Sequence, residues 1–208
     1  MLDFYYTPET CSLATHVAMR DAGAEFRLHR VDFATEQQKS DGFTRINPKA
    51  RVPALVTPDG VLTETPAMLA YIAQTHPGSD LALMSDPWAF AQVQSFNSYL
   101  CSTVHVAHAH RMRGHRWADE PEAHAAMQRK VPDSVEQGFR HIEDHALKGP
   151  FVMGEQYTVA DPYLYTIARW MEADGVDPSA FPKISAHREM MLARPTMQAA
   201  LAAENAPL

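Results

Sequence analysis

Residues 47–56 read Asn47-Pro48-Lys49-Ala50-Arg51-Val52-Pro53-Ala54-Leu55-Val56, a loop that runs through a Val-Pro step into a short apolar strand. Proline has no amide hydrogen for a strand ladder, so Pro53 marks a strand edge or a sharp bend. An X-Pro bond favours trans by only about 0.5–1 kcal/mol, which leaves an ordinary trans loop and a cis bond both open. A cis bond would turn the Val52 amide and carbonyl outward, where they could hold an extended peptide as an added strand.

A cysteine follows the first predicted strand. Leu2–Tyr6 is short, aromatic and apolar, and a Thr-Pro turn leads from it to Cys11-Ser12, which opens a predicted helix that stops near Gly23. The positive end of the helix dipole would lower the thiol pKa of Cys11 or hold a bound thiolate there. The alternative is a small buried cysteine without chemistry.

Three further elements complete this part of the chain. Residues 26–31 form a predicted strand, and residues 54–56 and 61–63 flank a Pro-Asp-Gly turn that predicts a hairpin. Glu64-Thr65-Pro66 then opens a helix, with Thr65 as its predicted N-cap. A helix N-terminus beside the Glu64 carboxylate can also hold a ligand's carboxylate and ammonium groups together.

The pattern changes between Thr75 and Pro87. Strands alternate with helices before this boundary, whereas only helical periodicity is found after it, which predicts an α/β domain over residues 1–77 and an all-helical domain over residues 87–208. The predicted helices cover residues 87–113, 121–146, 159–173 and a short pair over 182–203.

The first of these helices carries a stripe of reactive side chains at steps of three and four residues: Ser98, Cys101, His105, His108 and Met112. If the stripe borders the α/β domain, His105 can meet a bound thiol. The alternative is a partly buried interface histidine. Further on, Thr158 and Asp161 have the spacing of a capping box, so Asp161 is assigned a structural role.

Composition excludes several classes of protein. The chain has 208 residues, 46% of them hydrophobic, and a formal charge of −7, which argues against nucleic acid as a partner. No apolar run approaches the roughly 18 residues of a membrane span. Two cysteines and an N-terminus without the features of a signal peptide predict a cytoplasmic location. The pairs His105/His108 and His141/His145 lack a third ligand, so no metal is expected.

Five short motifs, spread over nearly the whole chain, follow one another in a characteristic order. They are Tyr5-Tyr6, Cys11-Ser12-Leu13-Ala14, Asn47-Pro48 through Val52-Pro53-Ala54-Leu55, Glu64-Thr65, and Gly154-Glu155 with Thr158-Val159-Ala160-Asp161-Pro162. Together they resemble the cytosolic glutathione transferase family, most of all its bacterial beta class. The resemblance implies a thioredoxin-like N-terminal domain, an all-helical C-terminal domain and a homodimer. It also implies that the Val52-Pro53 peptide bond is cis.

The resemblance also implies the site. Reduced glutathione would bind between the domains, beside a small hydrophobic electrophile, with its cysteinyl part paired to the Val52 backbone ahead of Pro53. Glu64 and Thr65 would hold the γ-glutamyl end, and Arg51 the glycyl carboxylate. Beta-class members commonly carry a lysine for that carboxylate at a position that is Thr35 or Glu36 here, so this contact is in question.

Candidates for acting on the glutathione sulfur are Cys11, Ser12 and His105, with Tyr6 as a weaker one. Three functions are compatible with this set. The first is a transferase that conjugates glutathione to hydrophobic electrophiles. The second is a glutathione-dependent thiol-disulfide reductase or peroxidase with Cys11 as nucleophile. The third is a non-enzymatic carrier of glutathione or apolar ligands.

Overall fold

The computed structural model describes residues 1–206. Its sheet has the strand order β2-β1-β3-β4, where β1 is Leu2–Tyr6, β2 Phe26–Arg30, β3 Ala54–Thr57 and β4 Gly60–Thr63. Strand β1 pairs in parallel with β2 and antiparallel with β3, and β3 and β4 form the predicted hairpin. The parallel pair requires a crossover, which the helix between β1 and β2 supplies. The predicted strands are therefore confirmed, and the Val52-Pro53 bond is cis.

Nine helices accompany the sheet in the described part of the chain. They are α1 Ser12–Asp21, α2 Asp41–Thr44, α3 Thr65–Thr75, α4 Pro87–Tyr99, α5 His105–Ala109, α6 Pro121–His141, α7 Ala160–Ala168, α8 Pro182–Leu192 and α9 Pro195–Glu204. Each predicted helix is present, and from Pro87 onward the named elements are helical, which confirms the predicted fold class. Among residues 1–206, no helix is both long and apolar enough to cross a membrane.

The stripe predicted on the first long helix is interrupted. Residues Leu100–Val104 form a π-helical turn between α4 and α5. A π turn inserts an extra residue and so shifts the phase of the residues after it. Ser98, before the turn, is exposed and does not line the cavity that Cys101, His105, His108 and Met112 line.

Helix α1 lies at the centre of the molecule. It packs against α3 on one side and against α7 and α9 on the other. Its His16 is fully buried, with Nδ1 2.9 Å from Glu204 Oε1 in α9, while the Arg20 Nε–H donates to His16 Nε2 over 3.0 Å. One buried core from Leu2 to Ile184 runs through both halves, so the division into residues 1–77 and 87–208 stays a prediction.

Asp161 ties together four segments of the helical half. Its fully buried carboxylate accepts hydrogen bonds from Val152 N at 2.8 Å and Thr158 N at 2.7 Å, and His187 Nε2 lies 3.1 Å from Oδ1. The Thr158 hydroxyl in turn accepts from Ala160 N at 3.3 Å. These are the hydrogen bonds that a capping box predicts, and they confirm a structural role for Asp161.

Candidate functional site

A cleft of about 680 Å³ opens between the loops of the α/β half and the segment that begins with α5. Seven residues predicted for the site line it: Cys11, Arg51, Val52, Pro53, Glu64, Thr65 and His105. They come from the start of α1, the loop before β3, the start of α3 and the start of α5. Sequence positions up to 94 apart are thus brought to one cavity.

The Cys11 thiol is held between two loops. Its Sγ lies 4.0 Å from the Val52 carbonyl oxygen. Burial raises the pKa of Cys11 to about 11, and the neighbouring Thr65 hydroxyl lowers this pKa only in part. The expectation of a lowered thiol pKa was therefore wrong, because desolvation at this position outweighs the helix N-terminus. At neutral pH Cys11 is a neutral S–H group.

Cys11 is expected to react slowly with alkylating agents. The raised pKa leaves about 100-fold less thiolate at neutral pH, and the greater nucleophilicity of a more basic thiolate recovers only about tenfold. We expect iodoacetamide to modify Cys11 about tenfold more slowly than a cysteine in an unstructured peptide at pH 7.5. The rate of modification is measured by mass spectrometry in the Cys101→Ser variant, in which Cys11 is the remaining thiol.

The pH profile of that reaction separates the raised pKa from simple steric shielding. With a pKa near 11, the rate keeps rising beyond pH 10, while circular dichroism verifies that the protein is still folded. A rate that levels off below pH 9 would contradict the assignment. The matched variant Cys11→Ser, which retains only Cys101, identifies any signal from the second thiol.

Thr65 begins α3 instead of capping it. The cap position belongs to Glu64, whose φ of +73° lies in the left-handed region and whose side chain makes no capping bond. The N-cap prediction for Thr65 was thus wrong by one residue. The Glu64 carboxylate pairs instead with Lys49, whose Nζ lies 2.6 Å from Oε1.

Ser12 and Tyr6 do not reach the cleft. Ser12 is fully buried, with its Oγ 3.0 Å from the Thr7 carbonyl oxygen and 2.7 Å from Thr10 Oγ1. Tyr6 is 5% exposed and its ring stacks on Phe4 inside the core. Their assignment as catalytic candidates is corrected for this reason: both side chains are used to pack and close the loop that leads into α1.

His105 stands on the helical wall of the cleft. Its ring centroid lies 5.0 Å from that of Trp170. Burial lowers the pKa of His105 to about 4, and the positive charges of His108, Arg116, Arg113 and Arg51 lower it further. His105 is consequently a neutral imidazole at neutral pH, able to donate or accept one hydrogen bond but not to act as a cation.

A second histidine on this wall is fixed by a buried carboxylate. His108 Nδ1 lies 2.7 Å from Asp174 Oδ2, and its ring stacks on Trp170 with centroids 4.1 Å apart. Asp174 also meets Arg111 Nε at 3.2 Å. The sequence placed His108 on the correct face, but nothing local in it points to Asp174, which lies 66 residues away.

Several cationic residues of the cleft were missed. Lys39 lines it from the short turn Gln37–Lys39, close in sequence to Thr35 and Glu36, where a lysine was looked for. Arg113 and Arg116 line it from the segment after α5. Their only sequence signal is a concentration of basic residues between 111 and 116. Within residues 1–206, no group of three or more His, Cys, Asp or Glu side chains is placed to hold a metal ion.

Comparison with known proteins agrees with this geometry. Residues 3–74 match the family described as Glutathione S-transferase, N-terminal domain, and residues 111–189 match Glutathione S-transferase, C-terminal domain. Glutathione S-transferase GST-4.5 of Xanthomonas campestris is 31% identical over 98% of both chains.

Solved structures are similar over almost the full length. A glutathione transferase homologue from Sulfitobacter, crystallised with bound glutathione, is 44% identical with a TM-score of 0.93 over 96% of each chain. The beta-class enzyme of Sphingomonas chungbukensis is 32% identical with a TM-score of 0.84 over 98% of each chain. The fold and cleft are those of a glutathione-dependent class of transferase. The chain belongs to the glutathione S-transferase family.

Proposed function

We propose that this transferase binds reduced glutathione in the cleft as co-substrate and joins its sulfur to a small hydrophobic electrophile. The observation that carries the proposal is the convergence of the Val52 main chain, the Cys11 thiol and the His105 ring on one cavity. The glutathione bound to the Sulfitobacter homologue supports it further.

In the proposed binding mode, the tripeptide lies along residues 51–53 as an added strand, with its cysteinyl amide and carbonyl groups paired to Val52. Thr65 and Glu64 hold the γ-glutamyl end, next to the N-terminus of α3. Arg51 and Lys39, on the same wall, are the cations for the glycyl carboxylate. Lys39, whose ammonium group pairs with the exposed Glu36 carboxylate, thereby supplies the positive charge that residues 35 and 36 do not carry.

The chemistry requires glutathione to react as a thiolate. Lowering its thiol pKa by two units takes about 2.7 kcal/mol of preferential stabilisation. The neutral Cys11 S–H and a neutral His105 N–H are suitable donors to the sulfur. The glutathione proton leaves to solvent, sulfur forms a bond to the electrophilic carbon, and the leaving group departs with the electron pair of its bond.

A thiol-disulfide reductase with Cys11 as nucleophile is the second candidate, since this thiol lines the cleft. Its raised pKa disfavours that role, because only the thiolate attacks a disulfide. A carrier without catalysis is the third.

Two variants and two assays test the proposal. Cys11→Ala and His105→Ala are measured for conjugation of an aryl halide and for reduction of a small glutathione mixed disulfide. We expect each to lower the conjugation kcat by up to about 100-fold, the lower range for removing one donor to a developing anion. Ser98→Ala, exposed outside the cleft, is the matched control.

The outcomes separate the three functions. Loss of mixed-disulfide reduction in Cys11→Ala with full conjugation would favour the reductase. Calorimetric binding of glutathione without either reaction would favour the carrier. Full activity of both variants in both assays would reject the assignment of Cys11 and His105.

Assembly and organisation complete the proposal. We propose a homodimer with α/β and helical domains divided between residues 77 and 87, after α3 has ended at Thr75 and before α4 begins at Pro87. Both cysteines are free thiols, which is in keeping with the expected reducing, cytoplasmic setting. Analytical ultracentrifugation at micromolar concentration is expected to give the dimer mass, and a monomer alone would contradict it.

A further inference from the structure

The helical wall of the cleft carries two arginines without an obvious task. Arg113 precedes the short turn Gly114–Arg116, Arg116 ends it, and both line the cavity together with Arg51 of the opposite wall. Within residues 1–206, none of the three forms an ion pair with a carboxylate. By contrast, Arg111, Arg169 and Arg188 each pair with an acidic side chain.

This concentration of positive charge affects the titration of its members and of His105. Burial and the positive charges of Arg51 and Arg113 lower the pKa of Arg116, and the same arginines contribute to the lowered pKa of His105. Like charges this close repel one another unless an anion lies between them. The chain as a whole carries a formal charge of −7, so the positive cleft is a local feature and not an average one.

In the proposed binding mode, glutathione does not pair with all of the cationic side chains of the cleft. Its single glycyl carboxylate is met by Arg51 and Lys39 on the wall that carries Val52. Arg113 and Arg116 line the cavity from the segment after α5. The Arg113 guanidinium lies over the Phe33 ring of the α/β half, 5.9 Å from its centroid, so it spans the two walls of the cleft.

Apolar side chains flank the two arginines. Met112 is 72% exposed and Trp117 46% exposed, and both line the cavity. Large apolar side chains beside unpaired guanidinium groups match a ligand that has an apolar body and a negative group. The planar donors of arginine suit an oxyanion, which they can bind through two parallel hydrogen bonds.

We propose that the electrophilic substrate is an apolar, carboxylate-bearing molecule whose carboxylate is bound by Arg113 and Arg116 while its reactive carbon faces the glutathione sulfur. This inference rests on the proposed function and narrows its substrate class. Met112 and Trp117 contact the apolar body. Arg113 and Arg116 are specificity-determining residues here, because they bind a part of the substrate that does not react.

The test uses two electrophiles, 4-chloro-3,5-dinitrobenzoate and its methyl ester, and compares each variant with the wild type so that the intrinsic reactivities of the two compounds cancel. In both, the glutathione sulfur bonds to the ring carbon that carries chlorine, chloride leaves with the bonding electrons, and the thiol proton goes to solvent. We expect the double variant Arg113→Met/Arg116→Met to lower kcat/KM for the acid about tenfold or more, the scale of one lost hydrogen bond between charged groups. The value for the ester is expected to stay within about twofold.

Matched controls isolate the position of the lost charge. Arg45→Met/Arg129→Met removes two exposed arginines outside the cleft and changes the net charge equally. The acid-to-ester ratio of this control should equal that of the wild type. Arg116→Met alone is a second, milder variant, and thermal melting verifies that each protein is folded.

An acid-to-ester ratio in the double variant equal to that of the wild type would overturn the inference. If this unchanged ratio comes with an equal loss for acid and ester and with weaker calorimetric binding of glutathione, both arginines are assigned to the tripeptide instead.

The inference stays testable if the wild type conjugates neither compound, a result that would reject the proposed function instead. Binding of the two chemically prepared conjugates then decides, by calorimetry and without turnover. A wild-type preference for the carboxylate conjugate that the double variant loses would support the inference. Equal affinities of the wild type for the two conjugates would reject it.

Discussion

Replacing Asp161 by asparagine is expected to lower the free energy of unfolding by about 3–5 kcal/mol, the usual effect of removing one partner from a buried charged network. The Asp161 carboxylate is fully buried and accepts from Val152 N and Thr158 N, with His187 Nε2 3.1 Å from Oδ1. An amide has one oxygen and turns an NH₂ group toward one of these donors, so at least one buried N–H loses its acceptor. Urea unfolding followed by circular dichroism measures the change.

Two further variants provide reference values for the expected loss of stability in Asp161→Asn. Thr158→Ala removes one cap interaction and should cost about 0.5–2 kcal/mol. Asp133→Asn breaks an exposed pair with Lys130, and exposed pairs contribute about 0–1 kcal/mol. Because Asp161 does not line the cleft, conjugation activity per folded molecule should survive its replacement. A destabilisation no larger than that of Asp133→Asn would disprove the structural role.

Acidification is expected to weaken the fold through His105. In the unfolded chain this imidazole takes up a proton near its ordinary pKa of about 6.5, whereas in the folded protein it does so only near pH 4. Between these values the unfolded state binds more protons, so stability falls as pH falls. The contribution reaches about 2–3 kcal/mol at pH 4 and changes little below it.

His105→Gln should remove that contribution. Its free energy of unfolding relative to the wild type should rise by about 2–3 kcal/mol as the buffer is moved from pH 7 to pH 4. His145→Gln, which removes an exposed imidazole outside the cleft, reports the general effect of losing a histidine. Titration of the His105 ring protons by NMR gives the pKa directly, and a midpoint above 6 would refute the depressed value.

Local signals predicted the fold well. The turn at residues 58–60, the proline at 53 and the Thr158/Asp161 spacing each act over a few residues, and each is found where the sequence placed it. The seven cleft residues were found because the motifs of a known family carried them, not because spacing alone brings residues 11, 52 and 105 together.

The differences from the sequence predictions come partly from tertiary packing and partly from local backbone detail. The pKa of Cys11 depends on how much water the packed walls exclude, which a helix N-terminus in sequence does not reveal. The predicted stripe is interrupted after Ser98 by a π turn that has no distinctive sequence pattern. Arg113 and Arg116 reach the cleft only because the segment after α5 folds back over it.

The packing of α1 against α9 determines when α1 can complete its contacts during protein synthesis. His16 is enclosed by packing that includes Glu204, and Leu13 and Val17 share a buried cluster with Met197 and Ala200 of α9. A ribosome adds about 5–20 residues per second, so roughly 10–40 s separate the synthesis of His16 from that of Glu204. Helix α1, which begins next to Cys11, can therefore complete its packing only after the α9 segment has been synthesised. The cleft is then completed late in translation.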